Sequence, residues 1–181
     1  MTLRIYGNRT LKTLSGKDTR PTQSIVREAL FNIWQGAIAQ CRWLDLCAGS
    51  GAMGAEALCR GAALVVGIEQ SSRAWSVIEQ NWQQVATEGQ SFQLIRGDVI
   101  KKLPTLSGQQ FDLIYFDPPY ASELYQPVLD AIVHYNLLST NGELAVEHNP
   151  RRSDFSVPPA LEVCRQKSYG KTALTFYQLK I

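Results

Sequence analysis

The stretch that decides the fold reads Leu44-Asp45-Leu46-Cys47-Ala48-Gly49-Ser50-Gly51-Ala52-Met53-Gly54. Its apolar start predicts a buried strand, and Gly49, Gly51 and Gly54 follow with G-x-G-x-x-G spacing at the opening of a helix. Glycine lets the backbone turn sharply and lets a ligand lie close against the chain. The pattern fits a dinucleotide or S-adenosylmethionine equally well, and a tight turn without a ligand is a third interpretation.

Short apolar runs alternate with helical patterns from residue 42 onwards. We predict strands near 43–47, 63–68, 92–95, 111–116 and 143–146, and helices near 53–60, 72–88, 99–103 and 122–136. Gly89 is positioned to end the helix 72–88. Two further strands, 161–169 and 172–179, flank Gly170-Lys171 and form an antiparallel hairpin. The pattern predicts an α/β fold with a mostly parallel, seven-stranded sheet, which is the layout of the Rossmann-like methyltransferases.

The first thirty residues add a small element in front of this core. Residues 3–6 and 10–14 alternate apolar and polar side chains around Gly7-Asn8-Arg9, which predicts a β-hairpin. Thr22 follows a break at Thr19-Arg20-Pro21 and is positioned to cap a helix. With 181 residues, the chain is expected to form one domain, with a hairpin extension at 1–20 and a catalytic core at 21–181.

Composition excludes several classes of protein. Hydrophobic residues make up 45% of the chain and charged residues 19%, as in ordinary globular proteins. The apolar run at 61–68 is too short to cross a membrane, and the N-terminus has no signal-like apolar core. The four cysteines have no Cys-x-x-Cys spacing. We therefore expect a cytoplasmic, monomeric protein with reduced cysteines and no metal.

Charge is distributed unevenly along the chain. Residues 1–30 and 150–181 each carry six basic and two acidic residues, whereas residues 31–149 carry six basic and twelve acidic ones. This pattern indicates a polyanionic partner at the two ends, and ordinary solvated surface charge is the alternative. Arg151 and Arg152 fit either interpretation. The candidate contacts in the first segment are Arg4, Arg9, Lys12, Lys17 and Arg20.

Three carboxylates follow or lie within the first three predicted strands of the core. Asp45 lies inside the first strand, where it would repel a pyrophosphate but could orient a cationic methionine amine. Glu69 closes the second strand and could accept hydrogen bonds from ribose hydroxyls. Asp98 follows the third strand and could bind an adenine amine, with Val99 beside the ring, or cap the next helix.

The decisive motif is Asp117-Pro118-Pro119-Tyr120, directly after the fourth strand. The lone pair of an exocyclic base amine is delocalised into the ring, so such an amine is a poor nucleophile. Two acceptors, the Asp117 side chain and the Pro118 carbonyl, could hold both N–H groups and aim the lone pair at a methyl group. Proline offers no competing N–H, and Tyr120 offers a ring on which a base can stack. A merely rigid turn is the alternative interpretation.

The whole chain resembles the bacterial 16S rRNA guanine-N2 methyltransferases, which modify one guanine in a hairpin loop of the small ribosomal subunit. The resemblance is carried by Thr19-Arg20-Pro21-Thr22 with residues 27–32, by residues 44–54 with 56–58 and 60–62, by Asp117-Pro118-Pro119-Tyr120 and by Tyr169-Gly170. It implies S-adenosylmethionine as cofactor and 16S rRNA, within the subunit or an assembly intermediate, as partner. The loop Arg20–Thr22 would then lie over the mouth of the site. The implied cofactor residues are Asp45, Ala48, Gly49, Ser50, Gly51, Glu69, Gln70, Asp98 and Val99.

Three other functions share parts of the pattern. A DNA adenine-N6 or cytosine-N4 methyltransferase would use Asp117-Pro118-Pro119-Tyr120, but the chain has no added domain to read a duplex. A small NAD-dependent oxidoreductase would use the glycines and Glu69, but leaves the Asp-Pro-Pro-Tyr motif without a role. A non-catalytic RNA-binding module would bind without turnover.

Overall fold

The computed structural model describes residues 2–14, 21–151 and 155–180, and at residues 21–23 it describes the backbone only. These residues form two β-sheets. The small sheet pairs β1 (Thr2–Ile5) with β2 (Arg9–Lys12) in antiparallel fashion, and we call it the front hairpin. The large sheet contains β3 (Arg42–Leu46), β4 (Leu64–Glu69), β5 (Ser91–Arg96), β6 (Phe111–Phe116), β7 (Leu138–His148), β8 (Leu161–Tyr169) and β9 (Thr172–Leu179).

The large sheet has the order β5-β4-β3-β6-β7-β9-β8. Strands β3 to β7 are parallel, and β9 pairs antiparallel with both β7 and β8. The predicted seven-stranded, mostly parallel sheet with a C-terminal antiparallel hairpin is therefore confirmed. The strand order reverses at β3, whose neighbours are β4 and β6, and such a switch point is where open α/β sheets bind ligands.

Helices cover both faces of the large sheet. The front hairpin, α1 (Pro21–Ile33), α2 (Ala52–Cys59) and α3 (Ser72–Val85) enclose one apolar core, around Trp43 and Trp82. The short α4 (Val99–Lys102) and α5 (Tyr125–His134) enclose the other, around Phe111 and Phe116. None of the helices in the described ranges is long and apolar enough to cross a membrane.

Several boundaries differ from the sequence prediction. Helix α3 ends at Val85, because Ala86 turns extended, and Gly89 lies in the following turn instead of at the C-cap. Helix α1 begins at Pro21, whose fixed φ suits a first helical position, so Thr22 is inside the helix and is not its N-cap. Residues 122–124 precede α5, and β7 extends well beyond 143–146 on both sides.

The Trp82 indole explains why glycine is required at two positions, one in α2 and one in β4. A Cβ on Gly54 would lie 2.3 Å from a ring atom of Trp82, and a Cβ on Gly67 would lie 2.5 Å from another. The indole N–H also donates to the Gly51 carbonyl at 2.8 Å. Gly51 itself has φ +72, which glycine adopts without strain. The third glycine of the motif therefore serves helix packing, and the loop geometry depends on α3.

We expect Gly54→Ala to destabilise the protein by about 1–3 kcal/mol, because a methyl group cannot share space with the Trp82 ring. For a chain of this size that lowers Tm by about 2–4 °C per kcal/mol. Gly36→Ala is the matched control, since a Cβ there would meet nothing within 4 Å. Thermal unfolding of both variants checks this, and equal melting temperatures would show that the core yields easily.

Candidate active site

A pocket opens at the carboxyl ends of β3, β6 and β7. Residues of the glycine loop and of the ends of these three strands line it. Leu3 of the front hairpin and Ser24 and Arg27 of α1 reach it from the other side. The strand-end and loop residues that line it are Asp45, Cys47, Ala48, Gly49, Ser50, Ala52, Met53, Tyr115, Asp117 and Glu147.

Strand register explains why these side chains meet. Leu46 pairs with Phe116, and Phe116 pairs with Val146. Cys47, Asp117 and Glu147 are the next residues on the three strands, so parallel pairing brings them to one edge. The sequence motif and the glycine loop thus belong to the same pocket.

Asp45 is almost completely buried at the base of this pocket, with 1% of its surface exposed. Its Oδ2 accepts the Gly54 backbone N–H at 3.1 Å, at the start of α2. Burial raises the pKa of Asp45 to about 7, and repulsion from Glu69 adds to the rise. A buried carboxyl group with this pKa is well suited to pair with a cationic ligand.

Glu69 holds the glycine loop in place. Its Oε2 accepts the Gly49 N–H at 2.9 Å, and its Oε1 accepts the Ser71 N–H at 2.8 Å. Each carboxylate oxygen has a second lone pair, so these bonds leave room for ligand hydroxyls. Gln70, in the connection between β4 and α3, is exposed.

The predicted adenine contacts have structural roles at the end of β5. The Asp98 Oδ1 accepts the Lys101 N–H at 3.1 Å and caps α4, which confirms the capping interpretation. Val99 is buried in the core between the sheet and α4. Neither residue lines the pocket beside Asp45 and Asp117. Their role toward a ligand stays a prediction.

Asp117 lies at the centre of a group of acidic side chains. Burial raises its pKa well above the ordinary value, and repulsion from Glu147 and then Asp45 raises it further. Pro118 behind it is buried, whereas Pro119 is exposed and closes a turn by accepting the Ser122 N–H at 2.8 Å. The motif thus follows β6 directly as a stiff turn that presents one carboxyl group.

Tyr120 is 38% exposed, and its hydroxyl group is held from two sides. Its Oη donates to Glu147 Oε1 at 3.0 Å and lies 2.6 Å from Thr172 Oγ1 at the start of β9. These contacts fix the ring at the rim of the pocket. A planar base could stack there, as the sequence predicted.

Glu147 is a functional candidate that the sequence analysis did not single out. It is 5% exposed and accepts hydrogen bonds from Tyr115 at 2.6 Å and from Tyr120 at 3.0 Å. Burial raises its pKa, and the two tyrosines partly offset the rise. The sequence signal was its position directly after the predicted strand 143–146, but only the pairing of β7 with β6 brings it to the pocket.

The basic residues predicted to contact RNA have different surroundings in the structure. Arg4 is exposed. Arg9 donates to the Val85 carbonyl at 3.0 Å, and the Lys12 ammonium donates to Gln80 Oε1 at 2.8 Å, so both side chains tie the front hairpin to α3. Lys17, Arg20 and Arg152 lie outside the described residues, as does the side chain of Thr22. The RNA contacts of this segment stay predictions.

The pocket suits a cation and does not suit a pyrophosphate. Its ionisable lining consists of Asp45, Asp117, Glu147, Tyr115, Arg27 and the Cys47 thiol, and Arg27 is already paired with Glu56 at 2.9 Å. Burial raises the pKa of Cys47 to about 12, so its thiol stays protonated. Among the described residues no group of three or more histidine, cysteine or acidic side chains is arranged to hold a metal ion. The donor set fits a positively charged ligand with hydroxyl groups.

Fold and site together define the class of protein, an α/β chain with the Rossmann-like methyltransferase architecture. The solved structure of yhhF from Escherichia coli, which is named as a methyltransferase, superposes with a TM-score of 0.86 at 27% identity and covers 99% of both chains. The sequence profile of the family described as conserved hypothetical protein 95 matches residues 3–178, so this chain belongs to that family.

Two relatives carry names that describe an activity. YlbH of Bacillus subtilis, named as an rRNA methyltransferase, is 30% identical over 94% of this chain and 93% of its own length. Ribosomal RNA small subunit methyltransferase D of Escherichia coli is 32% identical over 88% of this chain and 79% of its own. The resemblance inferred from the motifs is confirmed at the level of the family.

Proposed function

We propose that this protein is an S-adenosylmethionine-dependent rRNA methyltransferase that acts on the exocyclic N2 amine of a guanine in 16S rRNA. The observation that carries the proposal is that Asp117 and the glycine loop line one pocket. The names of the relatives support an rRNA substrate, and the Asp-Pro-Pro-Tyr motif supports an amine as the acceptor.

The cofactor would be held by Asp45 and Gly49, which line the pocket, together with Glu69, Asp98 and Val99, which lie outside its lining. Asp45 would pair with the methionine amine, Glu69 would accept from the ribose hydroxyls, and the backbone of Gly49 would lie against the ligand. Asp98 and Val99 would contact the adenine. When bound, S-adenosylmethionine supplies an electrophilic methyl group next to a cationic sulfur.

Asp117 and the Pro118 carbonyl would act on the guanine. As acceptors for the two N–H groups of the exocyclic amine, they localise its lone pair and orient it for an in-line displacement. Burial and repulsion from Glu147 and Asp45 raise the pKa of Asp117, so a cationic cofactor beside it would favour the ionised form, which only accepts hydrogen bonds. No covalent enzyme intermediate is required, and the proton leaves to solvent after transfer.

Tyr120 would hold the plane of the target base. Base–aromatic stacking contributes about 1–3 kcal/mol per base, and a hairpin-loop guanine is cheaper to splay out than a paired one. The two hydrogen bonds of its hydroxyl group would hold the ring in place for stacking.

Methyl transfer to three substrates tests this proposal. Labelled cofactor is incubated with small subunits that lack the modification, with protein-free rRNA and with unmethylated duplex DNA. We expect label in the subunits and less in protein-free rRNA, because a small basic surface depends on presentation of the loop. Equal rates on both RNAs would remove the need for presentation. Label in DNA alone would contradict the rRNA proposal, and cofactor binding without transfer would indicate a binding module.

A further inference from the structure

The turn between β8 and β9 lies at the same edge of the sheet as the pocket. His148, near the carboxyl end of β7, pairs with Ala173 near the amino end of β9. Thr172, the first residue of β9, contacts the Tyr120 hydroxyl group at 2.6 Å. The C-terminal hairpin, β8 with β9, therefore presents its turn directly beside the proposed base platform.

This turn is basic. Lys167, opposite Leu174, and Lys171, in the turn itself, are exposed. Neither takes part in the ion pairs formed among the described residues. The acidic residue of β8, Glu162, lies at the opposite end of the strand and bonds to Gln178 at 2.6 Å. Charge along the edge strand is thus polarised, with its positive end at the pocket.

The front hairpin is arranged in the opposite way. Its turn at Tyr6–Asn8 lies near the C-terminal end of α2, where Arg60 stacks on the Tyr6 ring at 4.3 Å. Arg9 bonds to the carbonyl of Val85, the last residue of α3. Helix α3 begins at the pocket edge and has 14 residues, which corresponds to about 20 Å. The hairpin turn and Arg9 therefore lie far from the pocket, whereas the open end of the hairpin, with Leu3 and Lys12, lies nearer to it.

We propose that Lys167 and Lys171 bind phosphates of the RNA strand next to the target guanine, so that the C-terminal hairpin forms one side of the RNA-binding surface. This inference rests on the proposed rRNA methyltransferase function. Because Thr172 beside this turn contacts Tyr120, a base splayed onto Tyr120 would bring its flanking backbone close to the turn. Flexible ammonium groups suit phosphates of an irregular loop, since they need no fixed geometry.

Charge reversal at two ends of the same hairpin tests this. Lys167→Glu and Lys171→Glu change the pocket end, and Lys180→Glu is the matched control, because exposed Lys180 follows β9 at the opposite edge of the sheet. Initial rates of methyl transfer are measured over a range of subunit and protein-free rRNA concentrations and at several salt concentrations, together with cofactor Kd. The native protein is assayed alongside.

We expect Lys167→Glu and Lys171→Glu each to raise KM for RNA about tenfold with kcat and cofactor Kd unchanged. The slope of log affinity against log salt should fall by about 0.7–0.9 per lost phosphate contact. Lys180→Glu should stay within twofold of the native protein. Three equal KM values with an active native protein would overturn the inference alone. A KM effect on subunits but not on free rRNA would assign the turn to a ribosomal protein and overturn it too. A native protein that methylates no RNA would overturn the proposed function and the inference together.

Discussion

Asp117→Ala is expected to lower kcat for methyl transfer at least about 100-fold, which is the scale for losing one preorganised polar group at a reacting centre. Alanine removes the acceptor proposed to localise the amine lone pair, and the Pro118 carbonyl alone would hold only one N–H. Because Asp117 is a source of repulsion in the acidic pocket, its loss should not weaken folding. Single-turnover rates with labelled cofactor measure the effect.

Asp117→Asn provides the matched control for this variant. Its amide oxygen keeps one acceptor at the same position, so it should retain more activity than the alanine variant. Cofactor Kd should change less than threefold in Asp117→Ala, since Asp45 and Glu69 carry the proposed cofactor contacts. Normal turnover of Asp117→Ala would remove Asp117 from the mechanism, and lost cofactor binding would reassign it.

Cofactor affinity is expected to rise about tenfold per pH unit between about pH 5 and pH 7. Burial raises the pKa of Asp45 to about 7, so below that pH the carboxyl group is mostly protonated in the free protein. A cationic ligand favours the ionised form, so binding releases a proton below this pKa. Calorimetric titrations in buffers of different ionisation enthalpy measure both the affinity and the released proton.

Asp45→Asn should remove this pH dependence and bind the cofactor weakly throughout. The stability of this variant provides a second, independent test of the raised pKa. A carboxyl group with a raised pKa in the folded state favours folding at low pH, and this contribution is lost as pH rises from about 4 to about 7. At pH 8 without ligand, the free energy of unfolding of Asp45→Asn should therefore exceed that of the native protein by up to about 4 kcal/mol, and its melting temperature should be higher. A lower melting temperature at pH 8 would contradict the assigned pKa.

The sheet was predictable because its signals are local. Continuous apolar runs, the three spaced glycines and the Asp-Pro-Pro-Tyr motif identify strands and their carboxyl ends without any knowledge of contacts. Helix ends were less predictable, since α3 stops at Val85 before the available glycine. Residues 86–88 lie beyond the buried face, and no local pattern shows where packing against the sheet ceases.

The site was only partly predictable for the same reason. Asp45 and Asp117 follow from their motifs, whereas Glu147 becomes significant only through the pairing of β7 with β6. The packing role of Gly54 depends on Trp82, which is 28 positions later in the sequence. The distribution of charge along the sequence identified both basic ends. Only the topology distinguishes the β8–β9 turn, which lies beside the pocket, from the distant turn of the front hairpin.

The most direct test of the central proposal is the chemical identity of the methylated nucleoside. Small subunits lacking the modification are incubated with labelled S-adenosylmethionine, the rRNA is digested, and the labelled nucleoside is identified by mass spectrometry and mapped. We predict N2-methylguanosine at a single hairpin-loop position, absent when Asp117→Ala replaces the native protein. Label on another base, on a ring nitrogen or on a ribose oxygen would contradict the role assigned to Asp117 and Pro118.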